Sequence, residues 1–240
     1  MKRLLVVQPG EKLASLKSVR GDFADWVRAG MGLGEADTRV VYPHRGEELP
    51  DAGMFRAVVV TGASAMVTDD EPWMLRGALW LAETVRAGIP ILGVCFGHQW
   101  LGKALGGEVT DNPRGTEVGT VTVMLTPPAA DDPLLSGLPA TLPLHVSHRQ
   151  SVTLLPPGAV RLGASVMEAN QAFRYGEQAW GTQFHPEFSA DVVRGYLDYH
   201  APRIAARGLD PGTLRQSIVE TGYGRQILGR FAGLAGFNSG

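Results

Sequence analysis

The sequence predicts an α/β protein: an open, mostly parallel central sheet flanked by helices, with a helical C-terminal extension. Three observations carry that expectation. Short apolar runs alternate with helix-patterned segments through roughly the first 110 residues. Those runs are apolar throughout rather than at every second position, as strands covered on both faces are. Beyond Glu108 the texture changes to shorter, β-rich pieces, and beyond Pro186 it becomes helical.

The first strand is expected at Lys2–Gln8, an apolar run stopped by Pro9-Gly10. Phe23, Trp26 and Val27 give Asp22–Gly30 a helical spacing. Thr38–Tyr42, ended by Pro43, reads as the second strand, and Ala57–Thr61, ended by Gly62, as the third. Asp69–Glu71 followed by Pro72 marks a helix start, because a first-turn proline lacks only an N–H that has no partner there. That helix is expected to run to about Ala87 and to be closed by Gly88 and Pro90. Ile91–Val94 is the fourth strand and Phe96–Leu105 the next helix, stopped by Gly106-Gly107. Glu108–Leu125, Leu142–Leu155, Val160–Glu168 and Ala172–Gln183 read as β-rich. Ala190–Arg207, Gly212–Glu220 and Gly224–Ala235 read as helical, with apolar positions such as Val193, Leu197, Ile227 and Phe231 that are expected to pack on the protein's own sheet. No repeat or linker interrupts the chain. The expected organisation is an α/β domain over residues 1–190 with a helical extension, 191–240, packed on the same domain.

The chain has 240 residues and a formal charge of −2. That balance gives no reason to expect nucleic acid or an anionic membrane surface as a partner. No apolar run approaches the ~18 residues of a membrane span. The N-terminal run is too short for a secretory leader and lacks a small-residue cleavage site. One cysteine cannot form an internal disulfide, which fits a cytoplasmic protein. No His, Cys or carboxylate cluster has metal-ligand spacing, and the glycines of Gly102–Gly107 follow no strand in the register of a phosphate loop, so neither metal nor cofactor is expected.

The single cysteine stands in "ILGVCFGHQWLG", residues 91–102, where a strand stops and a helix starts. Sites in open α/β sheets lie at the carboxyl ends of strands. Gly93 and Gly97 flank Cys95 and permit a bend sharp enough to lift the thiol clear of the sheet. At the start of a helix the positive dipole end favours thiolate. The amide of Phe96 points at whatever the sulfur attacks. A nucleophilic thiol needs a base and the base an orienting group. His145 and His148 in "HVSHRQS" are candidates, but His185 in "GTQFHPEFS" is the better one, because Glu187 can reach back across a short turn to its imidazole. The competing reading of Cys95 is an inert core thiol. His98 is expected to pack against its surroundings and His145 to end a strand.

At these residues the sequence resembles the class I, triad-type glutamine amidotransferases, in the stand-alone group similar to the glutaminase half of GMP synthase. "GVCFGHQ" (Gly93–Gln99) resembles the family's nucleophile motif and "FHPE" (Phe184–Glu187) its His-Glu motif, and the 90 residues between Cys95 and His185 are family-like. "VVVTGASAMVTDDEPWM" (Val58–Met74) resembles the oxyanion strand and loop, and "HVSHRQSVTLLP" (His145–Pro156) a segment that often reads Ser-His-Gly-Asp in relatives. The resemblance implies a flavodoxin-like, class I glutaminase fold. It implies Cys95 as nucleophile, His185 as base and Glu187 as its orienting partner. It implies an oxyanion hole from the amides of Gly62 and Phe96, and binding of the glutamine α-amino and carboxylate groups by Gln99 and the backbone around Ser147 and His148. The implied reaction cleaves the γ-amide of glutamine through a γ-glutamyl thioester, giving glutamate and ammonia. The implied partners are glutamine or a γ-glutamyl compound and a separate synthase subunit. A hydrolase of γ-glutamyl peptides or amines with the same triad is the alternative, and a non-catalytic binding protein of the same fold a third reading. Two departures stand out. The oxyanion loop reads Thr61-Gly62-Ala63 where relatives have two glycines or Gly-Pro, and Arg149-Gln150 stands where Gly-Asp is common.

Overall fold

The computed structural model describes residues 2–16 and 21–237; Met1, residues 17–20 and residues 238–240, the last three of the expected 191–240 extension, lie outside it. Five short strands form the parallel heart of the sheet: β1 (Leu4–Val7), β2 (Thr38–Val41), β3 (Ala57–Val60), β4 (Ile91–Val94) and, from much later in the chain, β11 (Ala179–Thr182). Their spatial order is β2-β1-β3-β4-β11. Beyond β11 the sheet continues antiparallel through β10 (Ala172–Tyr175), β9 (Val160–Ala164), β6 (Glu117–Leu125) and β7 (Thr141–His148). The β-rich middle of the sequence thus widens the sheet beyond its parallel part. β5 (Glu108–Asp111) and β8 (Gln150–Leu154) form a separate antiparallel ribbon. His145 was expected to end a strand, but β7 continues through His148, because each of its residues has a partner on β6.

Side chains alternate across the strands, and both faces are covered. Leu4 and Val6 of β1 face one layer with Val27 and Met31 of α1 (Phe23–Met31) and Ile227, Leu228 and Phe231 of α6 (Tyr223–Leu234). Leu5 and Val7 face the other, with Met74 and Leu81 of α2 (Pro72–Arg86) and Trp100 and Leu101 of α3 (Phe96–Ala104). A third cluster joins Phe23 to Phe188 and to Val193, Tyr196 and Leu197 of α4 (Ala190–Ala205).

The helix boundaries follow local chemistry. Asp22 caps α1, its carboxylate accepting from the Phe23 amide while Asp25 accepts from the Asp22 amide in return. Pro72 opens α2 as expected with Glu71 at its N-cap, while Asp69 ends a separate 3-10 turn at Val67–Asp69 that Asp70 closes. The helix expected over Gly212–Glu220 is shorter: α5 spans Pro211–Gln216, capped by Asp210.

The β4–α3 junction positions the site. Cys95 has φ 51 and ψ −101, a backbone conformation that costs a non-glycine residue about 1–3 kcal/mol. The turn closes only because its flanks lack side chains. A Cβ at Gly97 would lie 2.3 Å from the Val60 carbonyl oxygen of β3, and one at Gly93 would lie 2.4 Å from the Gly97 carbonyl oxygen. Backbone meets backbone there, so neither contact can relax by a rotamer change.

Two stability measurements test this packing. Gly97→Ala is expected to lower stability by about 1–3 kcal/mol or to prevent folding, since the new methyl is driven into a fixed carbonyl. A denaturation midpoint equal to the parent's would show that the elbow can open without cost. Phe231→Ala, which empties a fully buried position on α6, is expected to cost about 3–5 kcal/mol. A loss under about 1 kcal/mol would mean that α6 is not part of the core and is free to dock elsewhere.

Candidate active site

The strand-to-helix turn presents Cys95 at the carboxyl end of β4. Its amide is held by the Thr182 carbonyl of β11 (2.8 Å), and its carbonyl starts α3 by accepting from the Gln99 amide (3.0 Å). Its thiol points toward the Ser147 carbonyl of β7 at 3.7 Å. The residue is 6% exposed, and what exposure it has opens into a cavity of about 240 Å³. Larger hollows lie elsewhere, the two biggest of them about 570 Å³ beside the Gly88 end of α2 and about 670 Å³ between Trp26 and Arg225. Neither is lined by Cys95, so the chemistry rather than the size marks the site.

His185 and Glu187 follow β11, the neighbour of β4, and this adjacency brings residues 90 apart together. The His185 amide is anchored to the His145 carbonyl of β7 (2.8 Å). The His185 Nδ1–H donates to Glu187 Oε1 at 2.7 Å, which fixes the tautomer, and Cys95 lies close enough to act on the charge of the ring. Phe188 stacks on the imidazole, with ring centroids 3.8 Å apart and planes 10° from parallel. Gly62 closes the opposite flank, where a Cβ would lie 2.8 Å from His185 Cε1. Burial opposes charge on this ring and is the largest single influence. The Glu187 carboxylate and the Cys95 thiolate together overcome it and push the pKa up to about 10.

The remaining site residues divide by what they touch. The amides of Gly62 and Phe96 have no acceptor among the described residues, as a pair of oxyanion donors requires. Gln99 lines the cavity, but its Nε2 is taken by the Gln150 carbonyl (2.8 Å) and by Gln183 Oε1 (2.9 Å), so only its amide oxygen is left to face a ligand. Ser147 keeps a buried hydroxyl without a partner. The His148 ring turns away into the protein, with Nε2 on Glu117 Oε2 (2.9 Å) and Nδ1 on the Gln150 carbonyl (3.0 Å). Glu117 also accepts from Ser165 and Gln171, while Glu168 accepts from Ser151 and the Asn170 amide. This buried polar shell holds the 147–151 segment rigidly under the cavity. At the two positions where the sequence departs from Gly-Asp, Arg149 and Gln150 both donate to Asp111 of β5, which brings a carboxylate from another strand.

His98 lies beneath the elbow against Phe173, and burial, slightly offset by the Gly181 backbone, drives its pKa down to about 3, which keeps it neutral. Burial also lowers the pKa of His145. Sequence reasoning missed the fourth wall of the cavity, formed by Tyr196, Tyr199, His200 and Arg203 of α4. Their i, i+3, i+4, i+7 spacing was legible, but only Tyr196 read as part of a packing stripe. It also missed Phe188, Glu117 and Glu168, isolated residues with no local pattern. Among the described residues no three His, Cys, Asp or Glu side chains converge as metal ligands would. Nor is any helix there long and apolar enough to cross a membrane.

The chain is 28% identical over 204 residues to a glutamine amidotransferase-like protein of Schizosaccharomyces pombe, covering 79% of this chain and 81% of that one. It is 35% identical over 149 residues to the glutamine-hydrolysing GMP synthase of Porphyromonas gingivalis, covering 61% of this chain but only 28% of the synthase. It is 26% identical over 176 residues to gamma-glutamyl peptidase 4 of Arabidopsis thaliana, covering 72% of this chain and 67% of the peptidase. The crystal structure of a glutamine amidotransferase from Thermotoga maritima has the same fold, with a TM-score of 0.76 at 21% identity and 98% of both chains covered. A family model, glutamine amidotransferase class-I, matches residues 27–195. The α/β sheet, the elbow and the matched sequence agree, and the chain belongs to the class I glutamine amidotransferase family.

Proposed function

We propose that this protein hydrolyses the γ-amide bond of glutamine or a glutamyl compound through a thioester on Cys95. The observation that carries this reading is the buried Cys95–His185–Glu187 array, in which Glu187 holds one nitrogen of His185 and Cys95 lies close enough to raise that ring's proton affinity. The Cys95 sulfur attacks the γ-carbonyl carbon. The carbonyl oxygen becomes an oxyanion between the amides of Gly62 and Phe96. The His185 imidazolium gives its proton to the amide nitrogen as the C–N bond breaks, and the amine or ammonia leaves. A water then gives a proton to His185 and attacks the thioester carbonyl, the C–S bond breaks, and glutamate departs. Glu187 keeps His185 in the right tautomer and stabilises its charge. The Gln99 amide oxygen and the Ser147 hydroxyl, with the backbone of Ser147 and His148, hold the α-amino and carboxylate end.

The family includes glutamine-hydrolysing synthases, and the matched portion of the Porphyromonas gingivalis enzyme is 28% of its length. A separate synthase subunit that receives the ammonia is therefore compatible with this reading. The gamma-glutamyl peptidase relative supports release of a larger amine by the same thioester route.

The direct test is kinetic. Cys95→Ala is expected to abolish hydrolysis of glutamine and γ-glutamyl amides and the trapping of a γ-glutamyl thioester by mass spectrometry. His185→Ala is expected to cost about 10²–10⁴-fold in kcat, the range of a lost general acid–base. Turnover by Cys95→Ala near the parent rate would rule out covalent catalysis.

The pH dependence follows from His185. Its raised pKa keeps the ring charged as pH rises past 6.5 and lets go of the proton only near pH 10, so activity that needs the imidazolium should fall on that alkaline side. In Glu187→Gln the main raising influence is gone and burial prevails. The alkaline limb of kcat/KM should then move to lower pH. An unmoved limb would mean that Glu187 does not set the proton affinity of His185.

A further inference from the structure

We propose that one face of α4 is a subsite for the leaving group, shaped for an amine that carries a carboxylate, so that γ-glutamyl amino acids or short γ-glutamyl peptides are the favoured substrates. This rests on the hydrolase reading given above. Tyr196, Tyr199, His200 and Arg203 recur at helical spacing and share one face of α4, and all four line the Cys95 cavity. Ring stacking shows which side of the cavity they occupy. Phe188 lies on the His185 imidazole, and Tyr196 lies on Phe188 with centroids 5.1 Å apart. α4 therefore covers the histidine side, whereas Gln99, Ser147 and Gln150 belong to a wall made by α3, β7 and β8. A leaving amine takes its proton from His185 and so departs on the α4 side.

Charge says what that amine carries. None of the residues lining the cavity is acidic, and two are arginines. Arg149 is already paired with Asp111 at 3.3 Å. Arg203 has no carboxylate or other acceptor among the described residues. Beside it the buried His200 Nδ1 has no hydrogen-bond partner. Burial and the Arg203 charge lower the pKa of His200, which keeps it a neutral donor or acceptor. Seven residues of helix separate the Tyr196 and Arg203 positions by about 10 Å. An extended residue spans about 3.3–3.6 Å, so one or two residues of leaving peptide, met by the flexible arginine stem, cover that distance. Ammonia would leave every one of these groups without contact.

The experiment compares γ-glutamylglycine with γ-glutamylmethylamide, which differ only in the carboxylate of the leaving amine. The wild-type chain should prefer γ-glutamylglycine in kcat/KM by roughly three- to tenfold, the range for an exposed charge pair with directed hydrogen bonds. Arg203→Ala should collapse that ratio toward unity, and Arg203→Lys should restore part of it, which a merely structural role would not do. A wild-type ratio near one, or a ratio that survives Arg203→Ala, overturns the proposal. That includes the case in which both substrates weaken equally, which would put the arginine on the glutamyl α-carboxylate instead. If the wild-type chain turns over neither compound but hydrolyses glutamine, the proposal is overturned, and if it does not hydrolyse glutamine either, the hydrolase reading fails on its own. Calorimetric binding of the same pair to Cys95→Ala protein then reads the subsite directly, with equal affinities as the overturning result.

Discussion

The Gly97–Val60 contact governs the site. One helix start is pressed so closely against the end of β3 that no Cβ fits between them. That closeness forces Cys95 into a positive φ, turns its thiol out of the sheet toward Ser147, and leaves the first amides of α3 facing the same space. The local strain persists because the surroundings over-determine it: β4 is hydrogen-bonded on both sides, and apolar layers cover both faces. A looser turn would let the cysteine relax into the helix and lose its opening to the cavity.

The second constraint is electrostatic. An imidazole as buried as His185 would be neutral if burial prevailed, as it does at His98 in the same fold. The two histidines differ in their neighbours. His98 meets an aromatic ring and a glycine backbone, whereas His185 meets a carboxylate on one nitrogen and has a thiol close by. The same burial that silences one ring strengthens the charge pairing of the other, because a low-dielectric site magnifies the attraction of close opposite charges. Glu187 Oε2 has no hydrogen-bond partner, so the carboxylate's interaction is concentrated on His185.

Much of this was legible in the sequence, and the reasons differ by element. The four early strands and the helices between them were legible because parallel strands buried on both faces are continuously apolar and their helices begin and end at Pro and Gly. The elbow was legible because only glycine tolerates such close approach, so Gly93 and Gly97 announce it. The convergence of Cys95, His185 and Glu187 was legible through short motifs. The antiparallel extension was harder, since period-2 runs do not reveal which strand lies next to which, and β11 returns to pair with β4 across a large sequence gap. The buried shell around Glu117 and Glu168 was not legible at all. A lone glutamate in a polar strand reads as solvated, and only the fold brings Ser165, Gln171, Ser151 and Asn170 close enough to satisfy the two carboxylates. Asp111 is a similar case, a strand residue whose meaning comes from the Arg149-Gln150 pair it faces.

The helix after the His-Pro-Glu turn ties stability to selectivity. α4 fixes itself through Val193, Leu197 and Ile204, which pack with Phe23 and Phe188. Through Phe188 it bears on the imidazole, and through Tyr196, Tyr199, His200 and Arg203 it faces the cavity. One rigid element therefore both bears on the His185 imidazole and forms one wall of the Cys95 cavity. Its buried face is constrained by the core, so change there disturbs His185. Its cavity face carries no packing duty beyond Tyr196, so residues there can vary without loss of the triad.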